Sequence, residues 1–171
     1  MVTQDSNLIA NAVATPPTLT DVGQAGGRIR VVVDSFEMNA AGSTGVDADG
    51  DDLRLCRLPS NARIIQFWVA ADDLDSGSNV SFNFGMAKTD GTIVDEDEFA
   101  SAKDFQSAIA PVDILFEAAA TDISAWQSTL WERAGESTDP SIMYDIVAYQ
   151  TAASSGLQAG TFAFMIMYTV D

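Results

Sequence analysis

The chain is predicted to fold as an all-β sandwich of the jelly-roll type, with seven or eight strands and two short helices. Three observations carry that reading. Val80, Phe82, Phe84 and Met86 alternate with Ser81, Asn83 and Gly85, the two-residue period of a half-buried strand. Asp90-Gly91 follows within a Thr-Asp-Gly-Thr string, supplying the positive-φ residue of a tight hairpin. Strand-like runs of this length recur along the chain, joined by irregular loops rather than by regular helical crossovers. A Greek-key or immunoglobulin-like connectivity fits the same pattern.

In chain order, Met1 to Gly27 carries Pro16-Pro17 and glycines 23, 26 and 27, with apolar side chains only scattered among small polar ones. That composition predicts an extended N-terminal arm, residues 1–27, outside a single domain over residues 28–171. Arg28 to Met38 is the first strand, with Ile29, Val31 and Val33 on one face. Ala40 to Asp52 is small and acidic, hence a loop. Leu53 to Leu58 resumes as a strand, with Leu53, Leu55 and Arg57 set against Arg54, Cys56 and Leu58, until Pro59-Ser60-Asn61 breaks it. Arg63 to Ala71 is apolar on both faces: Ile65, Phe67 and Val69 on one, Ile64 and Trp68 with Gln66 on the other. Such a strand is central in a sheet or lies at a subunit contact.

After the hairpin the period changes. Phe99, Ala102 and Phe105 are spaced near three, with acidic residues early and Lys103 late, which predicts a short helix over Asp95 to Phe105. Val112 to Glu117 reads as a strand. A second helix is predicted over Ile123 to Ala134, where Trp126, Leu130 and Trp131 form a stripe and Gly135 is the stop. Ile142 to Gln150 and Thr161 to Val170 close the domain. In the last of these both alternating sets are apolar, so it too is central or paired with another chain.

Composition narrows the function. The 171 residues hold 25 acidic and 8 basic side chains, a formal charge of -17 at pH 7, which disfavours nucleic acid and anionic membranes as partners. The first fifteen residues lack a basic region and a long apolar core, and Phe162 to Tyr168, the longest apolar run, is far below the roughly 20 residues of a membrane helix, so a soluble protein is expected. There is no histidine, which removes the commonest general base, the commonest zinc ligand and every Ser-His or Cys-His pair. No glycine-rich phosphate loop follows a strand. No catalytic, cofactor-binding or metal-binding residue is assigned, and the chain is expected not to be an enzyme.

Four features remain as candidates for other roles. Cys56 is the single cysteine and is expected to be a buried structural thiol. Asp47, Asp49 and Asp51 stand at the spacing of the start of a calcium loop, but Asp52 and Leu58 occupy positions where such a loop needs glycine and glutamate, so a solvated acidic loop is expected. Arg28, Arg30, Arg54, Arg57 and Arg63 all fall between residues 28 and 63, whereas residues 64–171 hold three basic residues against seventeen acidic ones. Neighbouring strands would turn those arginines into a positive region suited to association; otherwise they neutralise carboxylates within the monomer. Trp68, Trp126 and Trp131 are read as packing anchors, with a glycan-binding platform as the alternative.

Several strings carry a family likeness: Arg57-Leu-Pro-Ser-Asn-Ala-Arg-Ile-Ile65, Asn83-Phe-Gly-Met-Ala-Lys-Thr-Asp-Gly-Thr92 and Asp95-Glu-Asp-Glu-Phe99, preceded by Gly26-Gly-Arg-Ile-Arg-Val-Val32 and closed by the apolar C-terminal strand. Together they resemble the small virion proteins of tailed bacteriophages. The resemblance implies a capsid decoration, or cement, protein: a β-sandwich that binds the major capsid protein on the outside of the assembled head as a homotrimer, localised to the virion after synthesis in the host cytoplasm. A carbohydrate-binding module and a head-fibre or tail adaptor are the other classes that fit a jelly roll of this composition.

The arm yields a first prediction. Deleting residues 1–27 is expected to leave a soluble domain whose melting temperature stays near that of the full chain, while self-association or binding to undecorated heads falls. A truncated chain that does not fold would make the segment part of the core.

Overall fold

The structure, a computed structural model, describes residues 14–17, 28–38, 52–75, 80–118, 123–151 and 157–170. Eight strands are present: β1 (Arg30–Met38), β2 (Asp52–Pro59), β3 (Ala62–Ala71), β4 (Ser81–Lys88), β5 (Ile93–Asp104), β6 (Ile109–Asp113), β7 (Met143–Gln150) and β8 (Gly160–Val170). They form two four-stranded antiparallel sheets, β1-β8-β3-β6 and β2-β7-β4-β5. First pairs with eighth, second with seventh, third with sixth and fourth with fifth. That is the pattern of one long hairpin folded over itself, and it settles the connectivity as a jelly roll.

The hairpin that starts this winding is the predicted one. Lys88 N–H donates to the Thr92 carbonyl at 2.8 Å, Thr92 N–H donates to Asp90 Oδ1 at 2.9 Å, and Gly91 takes a φ of +92°, open to glycine at little cost. The core fills the space between the sheets. Phe67 and Phe162 from the first sheet meet Phe82, Phe84 and Phe99 from the second and Phe105 just beyond β5, with ring centroids 5.5–6.2 Å apart. Burial of each such ring is worth about 1.5–3 kcal/mol.

Two departures from simple alternation have one cause. In β2, Arg54 and Cys56 pair with the adjacent residues Val147 and Ile146, so Leu55 is an extra residue. In β3, Ile64 and Gln66 pair with Tyr168 and Met167, leaving Ile65 extra. A bulge shifts the facing of everything beyond it by one. The inward sets are therefore Leu53 with Leu58, and Ile64 with Phe67 and Val69, instead of the unbroken sets that strict alternation predicts; Arg54 and Arg57 share the outer face.

The predicted helix over Asp95 to Phe105 is instead strand β5. Opposite Phe84 and Met86, two residues apart, it places Ala100 and Asp95, five apart, and a further shift falls opposite Phe82 and Phe84. Ala102 sits there at a φ of +48°, its N–H on Asn83 Oδ1 at 2.7 Å. The spacing near three that imitates a helical period is not a buried stripe: Phe99 and Phe105 are buried, while Ala102 between them is exposed at the shift. The second predicted helix is two short pieces, a 3-10 turn (Ile123–Gln127) and α1 (Leu130–Arg133), the latter opened by a Thr129–Glu132 capping box.

The wide excursion of β5 lies directly on Gly85. A Cβ there would overlap the Asp95 carbonyl oxygen and the Glu96 backbone, so the strand's only residue without a side chain stands where the backbones cross. Gly85→Ala is expected to destabilise the fold by about 1–3 kcal/mol or more, measured by chemical denaturation. An unchanged midpoint would mean that β5 does not cross here.

Candidate assembly interface

The two sheets differ in what covers their outer faces. On the second sheet, Ala87, Val147 and Tyr149 are buried although they point away from the core. The β5 excursion lies against Gly85, and the Tyr149 hydroxyl is pushed up to about 12, first by burial and then by the charges of Asp52 and Glu96. Asp145 is buried in the same layer. Arg57 donates to both its carboxylate oxygens, at 2.6 and 3.1 Å, and Arg54 reaches it at 3.4 Å. The bulge at Leu55 is what lets two arginines three residues apart reach one carboxylate.

The outer face of the first sheet lacks such a cover among the described residues. One row crosses all four strands, Val33–Met165–Trp68–Asp113, flanked by Val31–Met167–Gln66 on one side and Ser35–Ala163–Ala70 on the other. Val31 is 48% and Val33 68% exposed, while Met165, Met167 and Trp68 are half-buried. The Trp68 indole N–H is buried and has no hydrogen-bond partner among the described residues. The apolar outer set of β8, legible in the sequence, and Trp68 of β3 thus lie side by side on one surface. An apolar sheet face of this kind is a candidate interaction surface. What the sequence could not reveal is that β1 extends it.

The five early arginines are not gathered into one positive region. Arg54 and Arg57 are neutralised on Asp145, and Arg63 donates to the Gln127 carbonyl at 2.8 Å. Arg28 and Arg30 stand exposed at the start of β1, in the other sheet from β2. The most buried cation was not singled out by sequence reasoning: Arg133, its side chain 2% exposed, pairs with Glu98 at 2.7 Å, donates to the Ala125 carbonyl and lies over the Phe99 ring. Burial holds Glu98 above the usual carboxylate range, against the pull of Arg133.

The tryptophans have three different surroundings. Trp68 lies on the apolar sheet face, and Trp131 packs partly buried against the core. Trp126 is 50% exposed, stands edge-on to Phe116 and donates its indole N–H to the Ile65 carbonyl at 3.2 Å. Strand β6 pairs with β3 only from Trp68 onwards. Trp126, the Arg63 bond and Trp131 N–H on the Ser60 carbonyl close the rest of that edge. The Asp47 to Asp51 run lies outside the described residues; Asp52 opens β2 and faces Arg54 at 3.5 Å. Among the described residues no cluster of three potential metal ligands occurs, and no helix is long and apolar enough to cross a membrane. An apolar gap lined by Met38, Leu53, Leu74, Phe82, Ala148 and Phe162 has no room for a water molecule.

No protein-family model and no curated protein matches the chain. Among solved structures it is similar to a chain in the capsid of Ralstonia phage GP4, at 21% identity and a TM-score of 0.57, with 83% of this chain and 85% of that one covered. A chain of the cyanophage Pam1 capsid asymmetric unit is similar at 15% identity and a TM-score of 0.51, with 92% and 96% covered. The class these comparisons define is a fold: an antiparallel β-sandwich shared, over nearly its whole length, with chains found in phage capsids. The shares covered are nearly equal on both sides, so the matched chains are about as long as this one.

Cys56 points inward beside Leu58, and its thiol is pushed up to about 12, by burial first and by Asp145 second, from an ordinary 9.0. The folded value lies above the unfolded one. The thiol's contribution to stability is therefore full below pH 9 and is lost as pH rises towards about 12. At pH 8 the folded protein is expected to react with a thiol reagent about a thousand-fold more slowly than the unfolded chain. Comparable rates would place Cys56 outside the core.

Proposed function

We propose that this chain is a non-enzymatic structural protein of a bacteriophage virion, a decoration protein that binds the outer surface of the head and reinforces it. The observation that carries the proposal is the apolar Val33–Met165–Trp68 face, uncovered among the described residues, on a sandwich whose fold is that of capsid chains of similar length. A free apolar sheet face has to be covered by a partner or by a second copy, and a capsid supplies both at high local concentration. In this reading the partners are the major capsid protein and the protein itself, as a homotrimer, with residues 1–27 as the arm that ties a subunit to its neighbour. The surface charge of -17 suits a role that neither approaches nucleic acid nor enters a membrane.

Purified protein added to undecorated heads of the phage that encodes it is expected to bind in fixed stoichiometry and to raise the temperature at which the heads rupture. Met165→Lys is expected to weaken that binding at least tenfold, since it places a charge in the middle of the face, while leaving the melting temperature of the free protein within a few degrees. Heads that take up no protein, or a variant that binds as tightly as the parent, would remove the support for a decoration role through this face.

A further inference from the structure

The four edge strands of the sandwich are not alike. Strand β6 is five residues long and contains Pro111, which has no N–H to offer a new partner. Strand β5 carries an acidic run and three register shifts, and β2 carries a bulge and two arginines held on Asp145. Each of these is a device that discourages another strand from adding. Strand β1 has none of them. It runs nine residues in unbroken register with β8, with three consecutive valines and neither proline nor glycine. No strand among the described residues pairs with its other edge. Its side chains are exposed on both faces, with Val31, Val33 and Phe36 at 48, 68 and 38%.

We infer that the free edge of β1 is an interaction surface, and that its occupant is β1 of a second copy, paired antiparallel about a two-fold axis at Val32. The charges select this partner. The strand carries Arg30 near its start and Asp34 four residues on, so a reversed copy centred on Val32 sets Arg30 opposite Asp34 twice. The same alignment sets Val31 opposite Val33 twice and Arg28 opposite Phe36. Opposite charges facing across an antiparallel pair stabilise it, and like charges oppose it. Centred on Val33, the alignment faces Asp34 with Val32 and pairs no charge. Centred on Val31, it leaves Asp34 only Arg28, which lies before the strand begins. Intermediate registers would set the core-facing side chains of one copy against the outward ones of the other.

With Val32 at the centre, the two β1-β8-β3-β6 sheets join into one of eight strands, and the apolar outer face runs on across the junction. Neither Arg28 nor Arg30 pairs with a carboxylate among the described residues. The inference does not rest on the capsid reading. A two-fold contact cannot lie inside a three-fold ring, so in a trimeric assembly the pair joins one ring to the next.

The test uses the full chain. Residue 32 of each copy would lie opposite residue 32 of the other, at roughly 4.5–5.5 Å between Cα atoms, within disulfide reach. Val32→Cys is expected to give, on mild oxidation, a covalent species of twice 18.1 kDa, whereas Ser35→Cys, about 20 Å from its copy at 3.3 Å per residue, is expected to give none. Independently, sedimentation of the unmodified protein should show an even-numbered species. Arg30→Asp or Asp34→Arg alone should weaken its association at least tenfold, and the double reversal should restore it. Failure of the cross-link in a folded Val32→Cys protein, or of the double reversal to restore association, would overturn the inference. Protection of β1 amides from hydrogen exchange only when heads are present would also overturn it, by making the capsid the occupant. Because these readouts need no heads, they stand or fall separately from the decoration role.

Discussion

The contact between phenylalanines across the two sheets is the interaction on which the rest of the structure depends. Phe67 and Phe162 descend from one sheet onto Phe82, Phe84, Phe99 and Phe105 from the other, mostly in edge-on or tilted pairs. Such pairs favour defined angles, so they fix the sheets in relation to each other as well as excluding water. Phe99 can join them only because β5 swings wide over Gly85 before it returns. Arg133 closes the outside of the same cluster by lying over Phe99 and pairing with Glu98. The bulged strand, the bare glycine and the buried ion pair thus all adjoin the ring that β5 adds to the core.

The same winding makes the two outer faces unequal. The β5 excursion and the Asp145 cluster seal one face, where the Asp145 carboxylate is paired with Arg57 and Arg54. The opposite sheet has β8 and β3 at its centre, both apolar outward, and nothing comparable above them among the described residues. Burial of polar groups without partners is costly, and Asp145 meets that constraint through two arginines. On the apolar face the buried Trp68 indole N–H has no partner among the described residues, so the constraint is not met there.

Charge acts against association everywhere except at chosen places. A subunit with a formal charge of -17 repels its copies. That repulsion is screened beyond about 8 Å at physiological salt, so contacts are decided by what lies within the interface. Val31, Val33, Met165 and Met167 place no charge there, and Arg28 and Arg30 at the start of β1 bring the positive charges that no carboxylate among the described residues takes up. Arg54 and Arg57, close to them in sequence, are already spent on Asp145.

The alternation of the strands, the Asp90-Gly91 hairpin, the all-β class and the apolar outer set of β8 were legible in the sequence, because each depends on one residue's neighbours along the chain. Cys56, expected to be buried, is partly buried and packed against the core. The facing of Arg54, Arg57 and Ile64, the strand character of Asp95 to Asp104 and the partner of Asp145 were not legible in the sequence. Each of these turns on a bulge, and a bulge exists only relative to the strand opposite: Leu55 is extra because Val147 and Ile146 are adjacent on β7. The period near three in Asp95 to Phe105 is a helix signal in isolation and a bulged strand once β4 lies beside it. Sequence alone therefore determined which segments must be buried and which must turn. Tertiary structure decided which face each buried residue takes and which surfaces stay open, because those depend on register between strands far apart in the chain.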